Sequence, residues 1–214
     1  MKTVETAFAE QLLEVKAIKL QPENPFTWAS GWKSPFYCDN RKTLSYPALR
    51  TFVKENLAKM IKENFPEATA VAGVATGAIA QGALVSDELG LPFCYVRSKA
   101  KDHGMGNLIE GTLPEGSKVV VVEDLISTGG SSLKAVEALR AAGFEIVGMV
   151  AAYTYGFPVA EEAFRNAGVK LLTLTNYQAV VDVAKATGYI TADQQPTLDE
   201  WRKNPAEWRN DLKG

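Results

Sequence analysis

The chain has 214 residues, 46% apolar and 22% charged, with a formal net charge of −2. Those values suit one soluble globular domain with at most a small subdomain, and they offer no electrostatic footprint for nucleic acid or an anionic membrane. No apolar run approaches a membrane span; Cys38 and Cys94 lack metal-ligand spacing, which favours a reduced, cytoplasmic setting, and one histidine argues against a zinc site or Ser-His-Asp triad unless His103 is central to it.

From Thr3 to Ile18, Val4, Phe8, Leu12, Leu13 and Val15 recur at helical spacing with acids among them, so the N-terminus reads as an amphipathic helix and not a signal peptide. Asn24-Pro25 breaks it. The segment Phe26–Arg41 is aromatic-rich and punctuated by Ser30-Gly31 and Ser34-Pro35, which suggests a small hairpin or lid. Pro47–Phe65 carries Leu49, Phe52, Val53, Leu57, Met60 and Ile61 on one helical stripe. Thr69–Val74 reads as a buried strand, the small-residue turn Ala75–Ala78 follows, and Ile79–Leu89 reads as a helix closed by Gly90. Leu91–Val96 is a third element of strand type. It runs into a loop in which Arg97, Lys99, Lys101 and His103 are followed by glycines without apolar periodicity, the composition of an exposed, mobile loop.

The stretch that organises the chain is Lys118–Ser132, KVVVVEDLISTGGSS. Val119–Val122 form a continuous apolar run, as in a strand of a parallel sheet covered on both faces. Glu123 and Asp124 stand at the strand's end, then the loop Ser127–Ser132, then Leu133, Val136, Ala138 and Leu139 at helical spacing up to Gly143. Backbone N–H groups of a glycine-containing loop at a helix N-terminus form an anion site, above all for phosphate. The two carboxylates would repel that phosphate, but a carboxylate can accept from the vicinal hydroxyls of a ribose. The stretch therefore asks for a sugar phosphate. Beyond it, Phe144–Tyr153 and Val169–Leu174 read as strands, Val159–Ala167 and Asn176–Ala186 as helices, and the tail from Thr191 as polar with Trp201 and Trp208 as packing anchors. Alternating strands and helices with loops at strand C-termini imply a doubly wound α/β parallel sheet.

Val120–Ser132 resembles the phosphoribosyl-diphosphate (PRPP) motif of the type I phosphoribosyltransferases, and its form E-D-L-I-S-T-G-G-S is closest to the orotate phosphoribosyltransferases. Two further segments share that resemblance: S-G-x-K-S-P-x-Y at Ser30, Gly31, Lys33, Ser34, Pro35 and Tyr37, and R-x-K-x-K-x-H-G from Arg97. The resemblance implies a type I phosphoribosyltransferase fold over residues 1–214, with a small hood formed by about residues 1–45 and contributions from the C-terminal tail. It implies transfer of ribose 5-phosphate from PRPP to orotate, giving orotidine 5′-monophosphate and diphosphate, the step that leads to UMP in pyrimidine biosynthesis.

Residue by residue, the resemblance places PRPP on Arg97, Lys99, Lys101, His103, Glu123, Asp124, Leu125, Ile126, Ser127, Thr128, Gly129, Gly130 and Ser131, with Thr76 and Gly77 offering backbone contacts to the diphosphate. Orotate falls to Ser127, Lys33 and Tyr37, and catalysis to Lys101, His103 and Asp124. The implied cofactor is Mg²⁺, held mainly by PRPP and reached by Asp124 through water. The implied assembly is a homodimer in which the 97–107 loop reaches the neighbouring site. Some relatives carry charged substrate contacts where this chain has Ala29, Ser98 and Tyr155.

Three other readings fit less of the chain. A purine or uracil phosphoribosyltransferase would share the phosphate motif but not the hood and basic loop together. A PRPP-sensing transcription regulator would add a basic nucleic-acid element, and a Rossmann dehydrogenase would need G-x-G-x-x-G, a spacing that Gly73–Gly82 does not supply.

Overall fold

The computed structural model describes residues 2–27, 31–98 and 108–208. The N-terminal helix α1 (Val4–Glu14) starts on Thr3, whose hydroxyl accepts from the Thr6 N–H at 3.2 Å. It stops short of Ile18, because the backbone turns left-handed at Lys16 (φ 55°) and Ile18–Leu20 becomes strand β1. The aromatic segment forms two small ribbons. Strand β2 (Phe26–Thr27) pairs antiparallel with β3 (Lys33–Ser34), and β4 (Phe36–Cys38) pairs antiparallel with β1. A 3₁₀ turn over Asn40–Ser45 leads into α2 (Pro47–Asn64), which has proline in its first turn, where the missing N–H costs nothing.

The main sheet has six strands in the order β10-β9-β8-β5-β6-β7. They are β5 (Ala70–Val74), β6 (Phe93–Val96), β7 (Ile109–Glu110), β8 (Lys118–Ile126), β9 (Glu145–Thr154) and β10 (Leu171–Asn176). All pairings are parallel except that of the edge strand β7 with β6. The parallel strands occur in the chain as β5, β6, β8, β9, β10, so the winding reverses between β5 and β8. In such sheets the crevice beyond the strand ends at this reversal is where ligands bind.

Helices α3 (Ile79–Leu89), α4 (Gly130–Ala141), α5 (Pro158–Asn166) and α6 (Tyr177–Ala186) follow β5, β8, β9 and β10 in turn. Because strand side chains alternate, Val120 and Val122 join the core under α1, α2, α3 and α6, whereas Val119 and Val121 join the core under α4 and α5. All four valines have no exposed surface, which is why the run is apolar throughout.

The structure differs from the sequence expectation in two places that matter. Strand β8 continues past Val122 to Ile126, so Glu123 and Asp124 lie within the strand and not beyond its end. Leu125 and Ile126 carry the apolar pattern on, and β9 pairs with β8 as far as Ile126↔Thr154. The polar tail also contains a helix, α7 (Gln195–Lys203), whose Leu198 and Trp201 are fully buried while its remaining surface is wet.

Candidate active site

The acidic pair is split by strand geometry. Successive side chains of a strand point to opposite faces. Glu123 therefore shares a face with Val119 and Val121 and turns toward α4, where its Oε2 accepts from the Ser132 hydroxyl at 2.7 Å and its Oε1 from the Asp124 N–H at 3.0 Å. It is only 5% exposed, and burial first, then the negative charge of Asp124, push its carboxyl well above the usual carboxylate range.

Asp124 is half-buried on the other face and meets the turn after β5. A Cβ built on Gly77 would stand 2.1 Å from Asp124 Oδ2. Only glycine lets that turn come so close to the carboxylate. Thr76 is exposed beside it, and the peptide bond between Ala75 and Thr76 is cis. Sequence positions some fifty apart thus meet at the winding reversal, around a cavity of about 320 Å³. Val74–Gly77 form one wall, Glu123–Leu125 and Ser131 a second, and Cys38–Arg41 from the hood a third.

The hood wall is tied down by the Asn40 amide, which donates to the Asp124 carbonyl at 2.6 Å. Asp39 Oδ1 accepts from Arg41 Nε at 2.7 Å, and that bond above all holds the Asp39 carboxyl below its usual range. The Cys38 thiol is pushed well up by burial and then by Asp124 and Asp39, so it remains protonated. Sequence reasoning missed Asp39, Asn40 and Arg41. The available signal was a charged D-N-R triplet directly after the aromatic hood strand.

The loop Ser127–Ser132 runs into the N-terminus of α4. Gly129 is the N-cap of α4 with φ 83°, a left-handed conformation that favours glycine, and a Cβ there would stand 2.8 Å from the Phe164 ring. Intrahelical bonding begins with the Leu133 N–H to the Gly129 carbonyl at 2.9 Å, which leaves the N–H groups of Gly130, Ser131 and Ser132 without an intrahelical acceptor. Thr128, Gly130 and Ser131 are exposed and Ser127 is half-buried. Leu125 lines the cavity, but the Ile126 side chain is fully buried in the core, and its carbonyl accepts from the Tyr155 N–H at 3.0 Å.

The remaining expected residues lie elsewhere or outside the described residues. Arg97 continues from β6, ion-pairs with Glu110 at 3.4 Å, and lines a neighbouring cavity that shares Val74, Ala75 and Ser131 with the first. Lys33 donates to the Thr27 hydroxyl at 2.9 Å within the β2–β3 ribbon, and Tyr37 packs on Phe26 with ring centroids 5.5 Å apart; neither lines the Asp124 cavity. Lys99, Lys101 and His103, like Ala29 and Ser30, fall outside the described residues.

Phe36 anchors the hood to the body. Its ring lies 5.9 Å from that of Tyr153 on β9 and 6.3 Å from that of Trp201 on α7, the latter parallel to within 1°. Arg202 of α7 donates to the Tyr155 and Gly156 carbonyls. The C-terminal helix therefore braces both the hood and the loop after β9.

No helix among the described residues is long and apolar enough to cross a membrane, and no group of three or more His, Cys, Asp or Glu among them is placed to hold a metal. The family model for the phosphoribosyl transferase domain matches residues 44–184. The chain is 71% identical to an orotate phosphoribosyltransferase of Bacteroides thetaiotaomicron over 208 residues, covering 97% of this chain and 98% of that protein. It is 56% identical to one of Listeria monocytogenes over 206 residues, 96% and 99% of the two chains. Among solved structures, an orotate phosphoribosyltransferase from Aeropyrum pernix superposes with a TM-score of 0.74 at 28% identity, over 86% of this chain and 99% of that one.

Proposed function

The chain belongs to the phosphoribosyl transferases, and among them to the orotate phosphoribosyltransferases; from that premise we propose that the cavity at the β5–β8 reversal is where ribose 5-phosphate passes from PRPP to N1 of orotate. The products are orotidine 5′-monophosphate and diphosphate, within pyrimidine biosynthesis. The observation that carries the assignment of the site is the convergence of three ligand-binding parts: Asp124, the Thr76–Gly77 turn packed against it, and the N-terminus of α4.

In this reading the free N–H groups of Gly130–Ser132, with the hydroxyls of Ser127, Thr128 and Ser131, take the 5′-phosphate. Asp124 accepts from the ribose hydroxyls and so fixes C1′. Glu123 supports the cradle from beneath, since both of its oxygens already accept from the chain. The bond from C1′ to the departing diphosphate breaks ahead of the new bond to N1, so positive charge builds on the ribose and negative charge on the leaving group. Thr76 and Gly77 receive the diphosphate through the backbone, and Arg97, Lys99, Lys101 and His103 supply cations, with Lys101 or His103 placing a proton on it. Ser127, beside the N-terminus of α4, serves orotate, with Lys33 and Tyr37 on the hood outside the Asp124 cavity. Closure of the 97–107 loop, in part over the neighbouring subunit of a homodimer, excludes water from the activated ribose.

Mg²⁺ fits this donor set. A half-buried carboxylate at the wall, with oxygens of the substrate, suits a hard cation that keeps most of its waters. Asp124 would hold it through water, and bound there it would neutralise charge on the diphosphate. A cytoplasmic setting accords with two free cysteines.

The test is consumption of orotate, hypoxanthine, guanine, adenine and uracil in parallel, each with PRPP and Mg²⁺. Orotate alone should react, and chelation should abolish the reaction. Consumption of a purine or uracil instead would overturn the base assignment, and PRPP binding without turnover of any base would overturn the enzyme.

A further inference from the structure

Three of the side chains that line the Asp124 cavity are carboxylic acids, namely Asp39, Glu123 and Asp124, and one is a cation, Arg41. Asp39 and Asp124 work against a diphosphate in this cavity, and Arg41 is the cation among its lining residues that can offset them. The Arg41 guanidinium is aimed. Its Nε donates to Asp39 Oδ1 at 2.7 Å, and the backbone N–H of Arg41 donates to the same oxygen at 3.3 Å. Both terminal nitrogens are left without an acceptor among the described residues, and the side chain is 61% exposed. Asp124 adds a favourable field across the cavity. An arginine anchored through Nε presents its outer N–H groups as a planar fork, the geometry that matches two phosphate oxygens.

Another wall is the Thr76–Gly77 turn, which offers backbone groups and a hydroxyl but no charge. We propose that Arg41 binds the diphosphate of PRPP from the hood side and stabilises it as it departs. The inference rests on the reading of the cavity given above. Asp39 is then a positioning residue.

The experiment compares wild type with Arg41→Ala and Arg41→Lys by titration calorimetry of inorganic diphosphate with Mg²⁺, and by steady-state KM values for PRPP and orotate. The loss of a charge-assisted fork corresponds to about a tenfold to hundredfold change. Arg41→Ala should raise the diphosphate Kd and the PRPP KM by that factor and leave the orotate KM within about twofold. Arg41→Lys, which keeps the charge but loses the fork, should fall between. Melting curves close to wild type are expected because the side chain is largely in solvent. An unchanged diphosphate Kd in Arg41→Ala overturns the proposal. So does a raised orotate KM with diphosphate affinity intact, which would give the guanidinium to the base. If wild type itself fails to consume orotate, the functional reading falls, while the diphosphate titration still reports on Arg41.

Discussion

Gly77→Ala is the sharpest probe of the active-site geometry. The new methyl would lie 2.1 Å from Asp124 Oδ2, 2.3 Å from its Cγ and 2.6 Å from Oδ1, so the carboxylate must swing away. Gly77 is not among the glycines with positive φ, so the methyl alone is the perturbation. Forcing a side chain aside in a packed site costs about 1–3 kcal/mol, which a domain of this size survives. The larger effect falls on catalysis. A hydrogen bond from a ribose hydroxyl to a carboxylate is worth about 1.5–3 kcal/mol. At about 1.36 kcal/mol per decade, its loss lowers kcat/KM for PRPP by roughly tenfold to 150-fold. The assay is steady-state formation of orotidine 5′-monophosphate for wild type, Gly77→Ala, Asp124→Ala and the double variant. The double variant should match Asp124→Ala within about twofold, because the clash partner is gone. Wild-type activity in Gly77→Ala, or a full extra loss on the Asp124→Ala background, would refute the claim that the turn acts on catalysis by placing that carboxylate.

Two predictions concern buried groups that flank the site. The folded protein holds the Glu123 proton more tightly than the unfolded chain does, so this group's contribution to stability is present at low pH and is lost as pH rises from about 4.5 through its raised value. Glu123→Gln should therefore flatten the decline in urea midpoint between pH 5 and 8, and identical pH dependence in the two proteins would count against the burial argument. The Tyr153 hydroxyl is fully buried with no hydrogen-bond partner among the described residues. Tyr153→Phe should stabilise by about 1 kcal/mol, read as a rise of roughly 2–4 °C in Tm, whereas a lower Tm would mean that the hydroxyl is satisfied.

Much of this architecture was legible in one dimension because its causes are local. Strand β8 had to be buried on both faces because four β-branched residues stand in a row. The loop at the N-terminus of α4 was legible because glycine and hydroxyl residues stand before a helical stripe, where the first N–H groups lack intrahelical acceptors. The order of the parallel strands and their helices from Pro47 to Ala186 follows from apolar runs, helical period and glycine stops; the two-residue edge strand β7 was not read, and α7 escaped notice because only Leu198 and Trp201 of its surface are wholly buried.

Tertiary structure decided what depends on distance across the chain. The pair Glu123-Asp124 looked equivalent, and their roles separated only once β8 extended to Ile126 and strand alternation sent one carboxylate toward Ser132 and the other toward Gly77. The Asp39–Arg41 pair became part of the site because Asn40 binds the Asp124 carbonyl 84 positions away. Phe36 joined Tyr153, Trp201 and the tail into one packed unit for the same reason. Local sequence encodes which backbone groups lack partners; only the closed sheet, with its winding reversed between β5 and β8, determines which distant side chains share the cavity.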